Sequence, residues 1–396
     1  MIPIPHLINL DCGIQKPAYI LYSVINQKNS MGISFLRGKK CVGLDIGSKT
    51  IKLVYLTFTA QKKFSLNNWE IINLPNEIVS LDTTSENRES IITNILKDLF
   101  SKNKNLPKNV ASSVSGSSVI VRPIKVPLLT KEELSKSISI EAEPYIPFSI
   151  KEVYLSFEII GEILEEGVRK NEVMVVAAKK DFVDKHINVL TQCGLVPKYI
   201  DVDIFAIERT LRYNYEIENE NVCAVNIGAN MTNVAIIENG VAKTCRDLPL
   251  GMFYILNEMK KLKQMEIEEI INYFKNDGLI LTDEQKEEYL TNNKKVELSI
   301  SKDLVALLKE FSTEFHKLVD FYYFQKGEQK PITKIFLSGG GCIIKNLTLY
   351  FTNEFKIETE IVDPFKKIGN ADNIPAELRP IFTVAVGLAI KGNQNG

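Results

Sequence analysis

Hydrophobic positions along this chain follow two periods. From Val42 the run VGLDIGSKTIKLVYL passes from an apolar triplet through a short polar stretch into strict alternation over Ile51–Leu56. That is the pattern of strand, tight turn, strand. It returns at 222–240, VCAVNIGANMTNVAIIENG. Further extended stretches lie at 69–74, 109–113, 119–126, 153–160, 172–178, 197–203, 335–337 and 357–362. Helical spacing marks 85–100, where Ile91, Ile92, Ile95, Leu96 and Leu99 share a face, and 304–323. Thr130–Glu133 reads T-K-E-E, a capping box, and predicts a helix to about Glu143 that Pro144 stops. Helices are also predicted over 181–193, 204–213, 252–263, 267–275 and 380–390; in the last, Ala385, Gly387 and Ala389 leave room for close packing. The charged stretch 282–303 reads as a solvated surface element. Mixed strands and helices make this an α/β chain, and 396 residues suffice for two substantial domains.

The turns carry the candidate chemistry. In the first hairpin Gly47 lets a ligand approach the backbone, Ser48 and Thr50 offer hydroxyls, and successive N–H groups can form an anion-binding concavity. Asp45 can hold a metal-bound water, and Lys52 can reach a phosphate. A third glycine-rich turn follows a strand at 335–341, IFLSGGG. At the start of the helix over 204–213, Asp203 reads either as a cap or as a carboxylate that positions an attacking water. Glu208 and Arg209 read as a surface pair, and Tyr145–Phe148 as an apolar patch bracketed by prolines.

Composition narrows the picture. Net charge is −1 and hydrophobic residues make up 45%, so nothing favours nucleic acid or an anionic membrane as partner. The six cysteines are scattered without a C-x-x-C, and the three histidines do not cluster, which argues against zinc and for a cytoplasmic chain. No apolar run has the ~18 residues of a membrane span, so direct insertion is not expected. Residues 1–38, with Pro3, Pro5 and Pro17, read as an N-terminal extension that is loosely held. Met31 offers an internal start, and the alternative is a tail that docks elsewhere.

Two phosphate-type hairpins followed by a strand and a triple-glycine turn resemble the order found in actin-like ATPases. The segment 138–161, ISIEAEPYIPFSIKEVYLSFEIIG, is similar to the inserted subdomain of the type IV pilus assembly protein PilM family, itself related to the cell-division protein FtsA. The stretch 171–180, the Gly194-x-x-Pro197 turn, Asp201–Arg209 and Arg246–Gly251 are similar as well. The resemblance implies an actin-like, ribonuclease H-like two-domain ATPase fold with an inserted 1C-type (SHS2-like) subdomain. Its divisions would be 39–124 (subdomain 1A), 125–195 (1C), 196–221 (rest of 1A and connecting helix), 222–375 (2A and 2B) and 376–396 (returning helix and tail).

It also implies ATP and Mg²⁺ in the interdomain cleft. Asp45, Gly47, Ser48, Lys49, Thr50 and Lys52 would form the first phosphate loop, and Gly228, Ala229, Asn230 and Thr232 the second. Gly339, Gly340, Gly341 and Cys342 would form the adenosine turn, with Lys275 as a purine or ribose contact. Asp45 and Asn226 would hold the metal through water. Two positions depart from the family, Asn226 where an aspartate is usual and Asn272 where an acidic residue is usual; both weaken hydrolysis more than binding. The implied partner is the cytoplasmic tail of a PilN-like single-span membrane protein, in a groove between 1A and 1C. Glu141, Ala142, Tyr145, Ile146, Pro147 and Phe148 are the candidate contacts. Pilus motor ATPases and the platform protein are further implied partners, and the location is the inner face of the cytoplasmic membrane. Two other readings stand beside this one. An FtsA-like tether needs an amphipathic C-terminal helix, and a metabolic kinase of the same superfamily needs a substrate-side catalytic aspartate.

Overall fold

A computed structural model describes residues 40–59, 63–75, 85–276, 280–326 and 331–394. The expectation for residues 1–38 lies outside the described residues. Two five-stranded sheets share one topology. The first runs β3-β2-β1-β4-β8, from β1 (Val42–Ile46), β2 (Thr50–Phe58), β3 (Phe64–Asn73), β4 (Asn109–Val114) and β8 (Val196–Val202). The second runs β11-β10-β9-β12-β13, from β9 (Asn221–Ile227), β10 (Thr232–Glu238), β11 (Val241–Leu248), β12 (Lys334–Ser338) and β13 (Glu358–Ile361). In each, an antiparallel meander is extended by two parallel strands. A three-stranded antiparallel sheet, β5-β7-β6, stands apart: β5 (Val119–Pro127), β6 (Val153–Glu165) and β7 (Val168–Lys179). The sequence pattern placed β5 with the first half, whereas it pairs with β7.

Alternation explains why these strands hold. Along β2, Ile51, Leu53 and Tyr55 enter one core while Val54 and Leu56 enter another, so both faces are buried at period two. On β7, Met174, Val176 and Ala178 face the main body, and Val173, Val175 and Ala177 face a separate small core with Leu134 and Ile138 of α2 (Lys131–Ala142). The small sheet is therefore covered on both sides. The capping box at Thr130 and Glu133 forms as predicted, and α2 ends before Pro144.

Around the first sheet lie α1 (Ser85–Lys102), α3 (Lys180–Gln192) and α4 (Asp203–Asn214). α5 (Met252–Lys263), α6 (Ile267–Asn276), α7 (Asp283–Thr291), α8 (Lys295–Lys326) and α9 (Leu347–Phe355) belong with the second. The stretch 282–303 is not a featureless surface segment: it forms α7 and the start of α8, anchored by buried Tyr289 and Ile300. A 3-10 turn over Ala376–Phe382 leads into α10 (Thr383–Gln394), which packs on β1, β2 and α4. A Cβ on Gly387 would meet the Ala206 carbonyl at 1.9 Å, so α10 and α4 touch backbone to backbone. Among the described residues, no helix is long and apolar enough to cross a membrane.

Candidate functional site

Both hairpin turns close in the same way. The Gly47 N–H donates to the Thr50 carbonyl at 3.0 Å, and the Gly228 N–H to the Met231 carbonyl at 2.8 Å. A Cβ on Gly228 would meet the Met231 carbonyl at 2.8 Å, which demands glycine there, and one on Gly47 would crowd the Thr50 carbonyl at 3.0 Å. Lys52 faces Asp45 across the ladder and donates to its Oδ2 at 2.9 Å. The ammonium thus lies against the turn, where a phosphate would otherwise meet an uncompensated carboxylate.

The N-terminus of α4 supplies the third wall. Asp203 does not cap the helix: it is the first helical residue, the cap position is Val202, and no side chain bonds there. Its carboxylate instead accepts from Ser113 Oγ at 2.6 Å. Burial, Asp45 and Asp247 raise its pKa to about 6, against the opposing hydrogen bonds of Ser113 and Ser115. The surface-pair reading of Glu208 and Arg209 is likewise corrected. Glu208 is 3% exposed and accepts the Ala242 N–H, while Arg209 holds Asp201 at 2.9 Å and the Gly387 carbonyl at 3.0 Å.

One polar row crosses the second sheet. Ser338 Oγ donates to Asn226 Oδ1 (3.1 Å), Asn226 Nδ2 to Asn233 Oδ1 (2.9 Å), and Asn233 Nδ2 to Asp247 Oδ1 (2.8 Å). These four are register partners on β12, β9, β10 and β11, which is why the row is continuous. Asp247 Oδ2 then accepts the Gly116 N–H at 2.8 Å, joining the row to the β4–β5 turn of the first half. Nothing in the local sequence marked Asn233, Ser113 or Asp247 as site residues, although Asp247 lies in the R-D-L-P-x-G stretch.

The triple glycine begins where this row ends. Gly339 has φ +86, and a Cβ there would strike the Ile227 carbonyl at 2.5 Å. A Cβ on Gly340 would meet nothing within 4 Å. The space beside this residue is therefore open. The turn is a 3-10 segment, Gly340–Ile343, and α9 starts only at Leu347. Cys342 packs against the second core. Lys275 is exposed at the end of α6, which reaches the turn through the Lys345 N–H on the Phe274 carbonyl (3.0 Å). In the second hairpin, the Gly228 and Ala229 carbonyls accept N–H groups from Met252 and Phe253, and Asn230 is partly exposed. Thr232 does not line the turn: it is 1% exposed and its hydroxyl donates to the Leu250 carbonyl at 2.6 Å. In the first, Ser48, Lys49 and Thr50 are partly exposed.

Among the described residues no three His, Cys, Asp or Glu side chains form a metal cage. Asp45 and its neighbours suit the other arrangement, in which Mg²⁺ takes one or two carboxylates, waters and phosphate oxygens. Asn226 spends its amide on Asn233 and accepts from Ser338, so it offers such an ion no charge.

The partner candidates divide. Ala142 (0% exposed) and Ile146 (8%) belong to the small core, leaving Tyr145 and Pro147 exposed and Glu141 and Phe148 partly so. Lys179 Nζ lies 4.6 Å from the centre of the Phe148 ring.

Two five-stranded sheets of one topology, each with a glycine-closed hairpin turn, and a triple-glycine turn after β12 define an actin-like two-domain α/β fold. The chain belongs to the type IV pilus assembly protein PilM family, whose model matches residues 43–393. Among solved structures it is similar to a PilM-PilN type IV pilus biogenesis complex, with TM-score 0.72 and 23% identity, covering 91% of this chain and 100% of that one. More distant matches are MreB5 of Spiroplasma citri bound to ADP (TM-score 0.48, 12% identity, 89% and 95% covered). Another is the ethanolamine utilization protein EutJ from Carboxydothermus hydrogenoformans (TM-score 0.47, 13% identity, 88% of each chain covered).

Proposed function

We propose that this chain is a nucleotide-binding scaffold of a type IV pilus assembly platform. ATP occupies the cleft between the two five-stranded sheets, and the cytoplasmic tail of a PilN-like membrane protein docks beside the small sheet. The observation that carries the nucleotide half is the convergence of Asp45, Lys52, Asp203 and Asp247 on one place, walled by the two glycine turns. The turns supply N–H groups and Lys52 supplies charge for phosphates. Gly340 leaves room for the base, and Asp203, poised near neutrality, positions water. The three sheets support the division into two actin-like halves with an inserted 1C-type unit.

For the partner half, β6 and β8 are edge strands of different sheets. Lys391 of α10 lies between them, 5.3 Å from the centre of the Tyr199 ring on β8 and within electrostatic reach of Glu158 on β6. An extended tail with aliphatic residues and a basic group suits the Tyr145–Phe148 lip and the partly exposed Glu141 carboxylate beside it. Burying two or three aliphatic side chains gives ~4–8 kcal/mol gross, less the cost of ordering the peptide, hence micromolar affinity. Such a tail would bring the scaffold to the inner face of the membrane, where pilus motor ATPases and the platform protein are its further neighbours. The test is titration with ATP and with a synthetic tail peptide. Tyr145→Ala and Phe148→Ser should weaken the peptide and leave ATP unchanged; peptide binding that survives both moves the groove elsewhere.

A further inference from the structure

The first hairpin turn is held from behind by a residue that phosphate binding as described above does not use. Arg88, in the first turn of α1, donates from Nη2 to the Gly47 carbonyl at 3.0 Å and from Nη1 to the Ser48 carbonyl at 3.5 Å. The other two carbonyls of the turn are taken as well: that of Lys49 by the Leu74 N–H (2.8 Å) and that of Thr50 by the Gly47 N–H (3.0 Å). A phosphate oxygen is repelled by carbonyl lone pairs, so a turn whose four carbonyls all serve internal donors shows it none of them.

In a trans peptide the C=O and N–H point in opposite directions. The Gly47 carbonyl shares its plane with the Ser48 N–H, and the Ser48 carbonyl with the Lys49 N–H. Drawing both carbonyls to one guanidinium therefore turns two successive N–H groups to the opposite side. Successive N–H groups presented together are an anion-binding concavity. The planar fork of arginine takes two carbonyls at once, which an ammonium at the end of a flexible stem does not reproduce.

We infer that Arg88 is a positioning residue for the nucleotide's phosphates, acting through the Gly47–Ser48–Lys49 backbone rather than by touching the ligand. The inference rests on the reading that ATP occupies the cleft. Mg·ATP, Mg·ADP and adenosine are titrated into wild type, Arg88→Gln and Arg88→Lys, with a thermal melt of each. Arg88→Gln should bind ATP about tenfold more weakly, a difference of ~1.4 kcal/mol, and keep adenosine within about twofold. Arg88→Lys keeps the charge but not the fork and should remain about fivefold weak for ATP. Loss confined to the phosphate-bearing ligands is what a merely structural arginine would not produce. ATP affinity within about twofold of wild type in both variants overturns the inference, as does a parallel loss of ATP and adenosine. A wild-type chain that binds no ATP overturns the underlying reading and the inference with it. If Arg88→Gln does not fold, Arg88→Lys carries the same comparison.

Discussion

Neighbouring glycines of the triple-glycine turn should respond to substitution in opposite ways. A Cβ on Gly340 points into space with no atom within 4 Å, and Gly340 is not among the positive-φ residues. Gly340→Val should therefore leave stability within about 0.5 kcal/mol, as for other surface changes that touch nothing. The same branched side chain would stand in the cradle assigned to the base and should weaken ATP by about tenfold or more, ~1.4 kcal/mol. One position on, a Cβ at Gly341 would lie 2.4 Å from Ile227 Cγ2 and 2.6 Å from Ile227 Cβ. Ile227 is itself 2% exposed, so it has nowhere to retreat. Gly341→Ala should cost about 1–3 kcal/mol of stability, the usual range for overpacking. Denaturant unfolding gives the first quantity and calorimetric titration with Mg·ATP the second. The site assignment fails if Gly340→Val melts like wild type and also binds ATP like wild type.

Four further outcomes are expected. Asn226→Asp should make ATP binding depend more steeply on Mg²⁺, yet cost about 1–3 kcal/mol of stability, because a carboxylate cannot donate to Asn233 Oδ1 as the amide does; steady-state turnover of the wild type should lie well below the ~10 s⁻¹ common among enzymes, and a value near it would show a catalytic group not yet identified. Asp203, with its pKa raised from 3.8 to about 6 in the folded chain, binds more protons folded than unfolded, so its ionisation lowers stability as pH rises from about 4 through 6. Asp203→Asn should accordingly gain about 1–3 kcal/mol at pH 7.5, with the gain shrinking towards pH 5; a pH-independent difference between the two unfolding curves would count against the cause given. Lys243→Met removes the ammonium from the Glu172 carboxylate, a pair about nine-tenths buried (11% and 9% exposed), and should cost about 3–5 kcal/mol; adding Glu172→Leu should return most of it, and no recovery in the double variant would show that the loss comes from packing.

Much of the fold was legible because its strands are buried on two faces or alternate cleanly, as in β2 and β9–β10, and because α2 carries sharp signals at both ends, the Thr130–Glu133 capping box and Pro144. What failed has identifiable causes. Thr282 and Gln285 form a capping box that opens α7, and the high charge of the stretch hid it. Glu208 looks like a surface residue from its own helix; it is buried by the edge strand that arrives at Ala242. Asp203 satisfies the rule for a cap, but its oxygen is claimed by Ser113, 90 positions away. The site followed the same division: glycines of the turns could be named from spacing, while Asp247, Asn233 and Arg88 depend on register between strands and on contacts no local pattern encodes.

Strand β11 ties these parts together. Lys243 sits at the bulge of this strand, opposite the Ile236–Ile237 step of β10, and Asp247 lies four residues further on. Lys243 holds Glu172 at 2.6 Å and the Ile160 carbonyl at 2.8 Å, both in the small sheet, and Asp247 holds the Gly116 N–H at the turn that feeds β5. The other end of the Asp247 row is Ser338, directly before the glycine cradle. Any motion that opens the cleft by drawing β11 away must take the Asp247 carboxylate from Gly116 and the Lys243 ammonium from Glu172. A ligand shifts such an equilibrium only by its difference in affinity for the two states. A nucleotide that bridged the glycine cradle and the first hairpin, as proposed above, would favour the arrangement described here, in which both contacts are made and the small sheet is held to the second half. Any coupling between a nucleotide in the cleft and a peptide beside the small sheet would include these two contacts, and reciprocity would require the peptide to alter nucleotide affinity by the same factor.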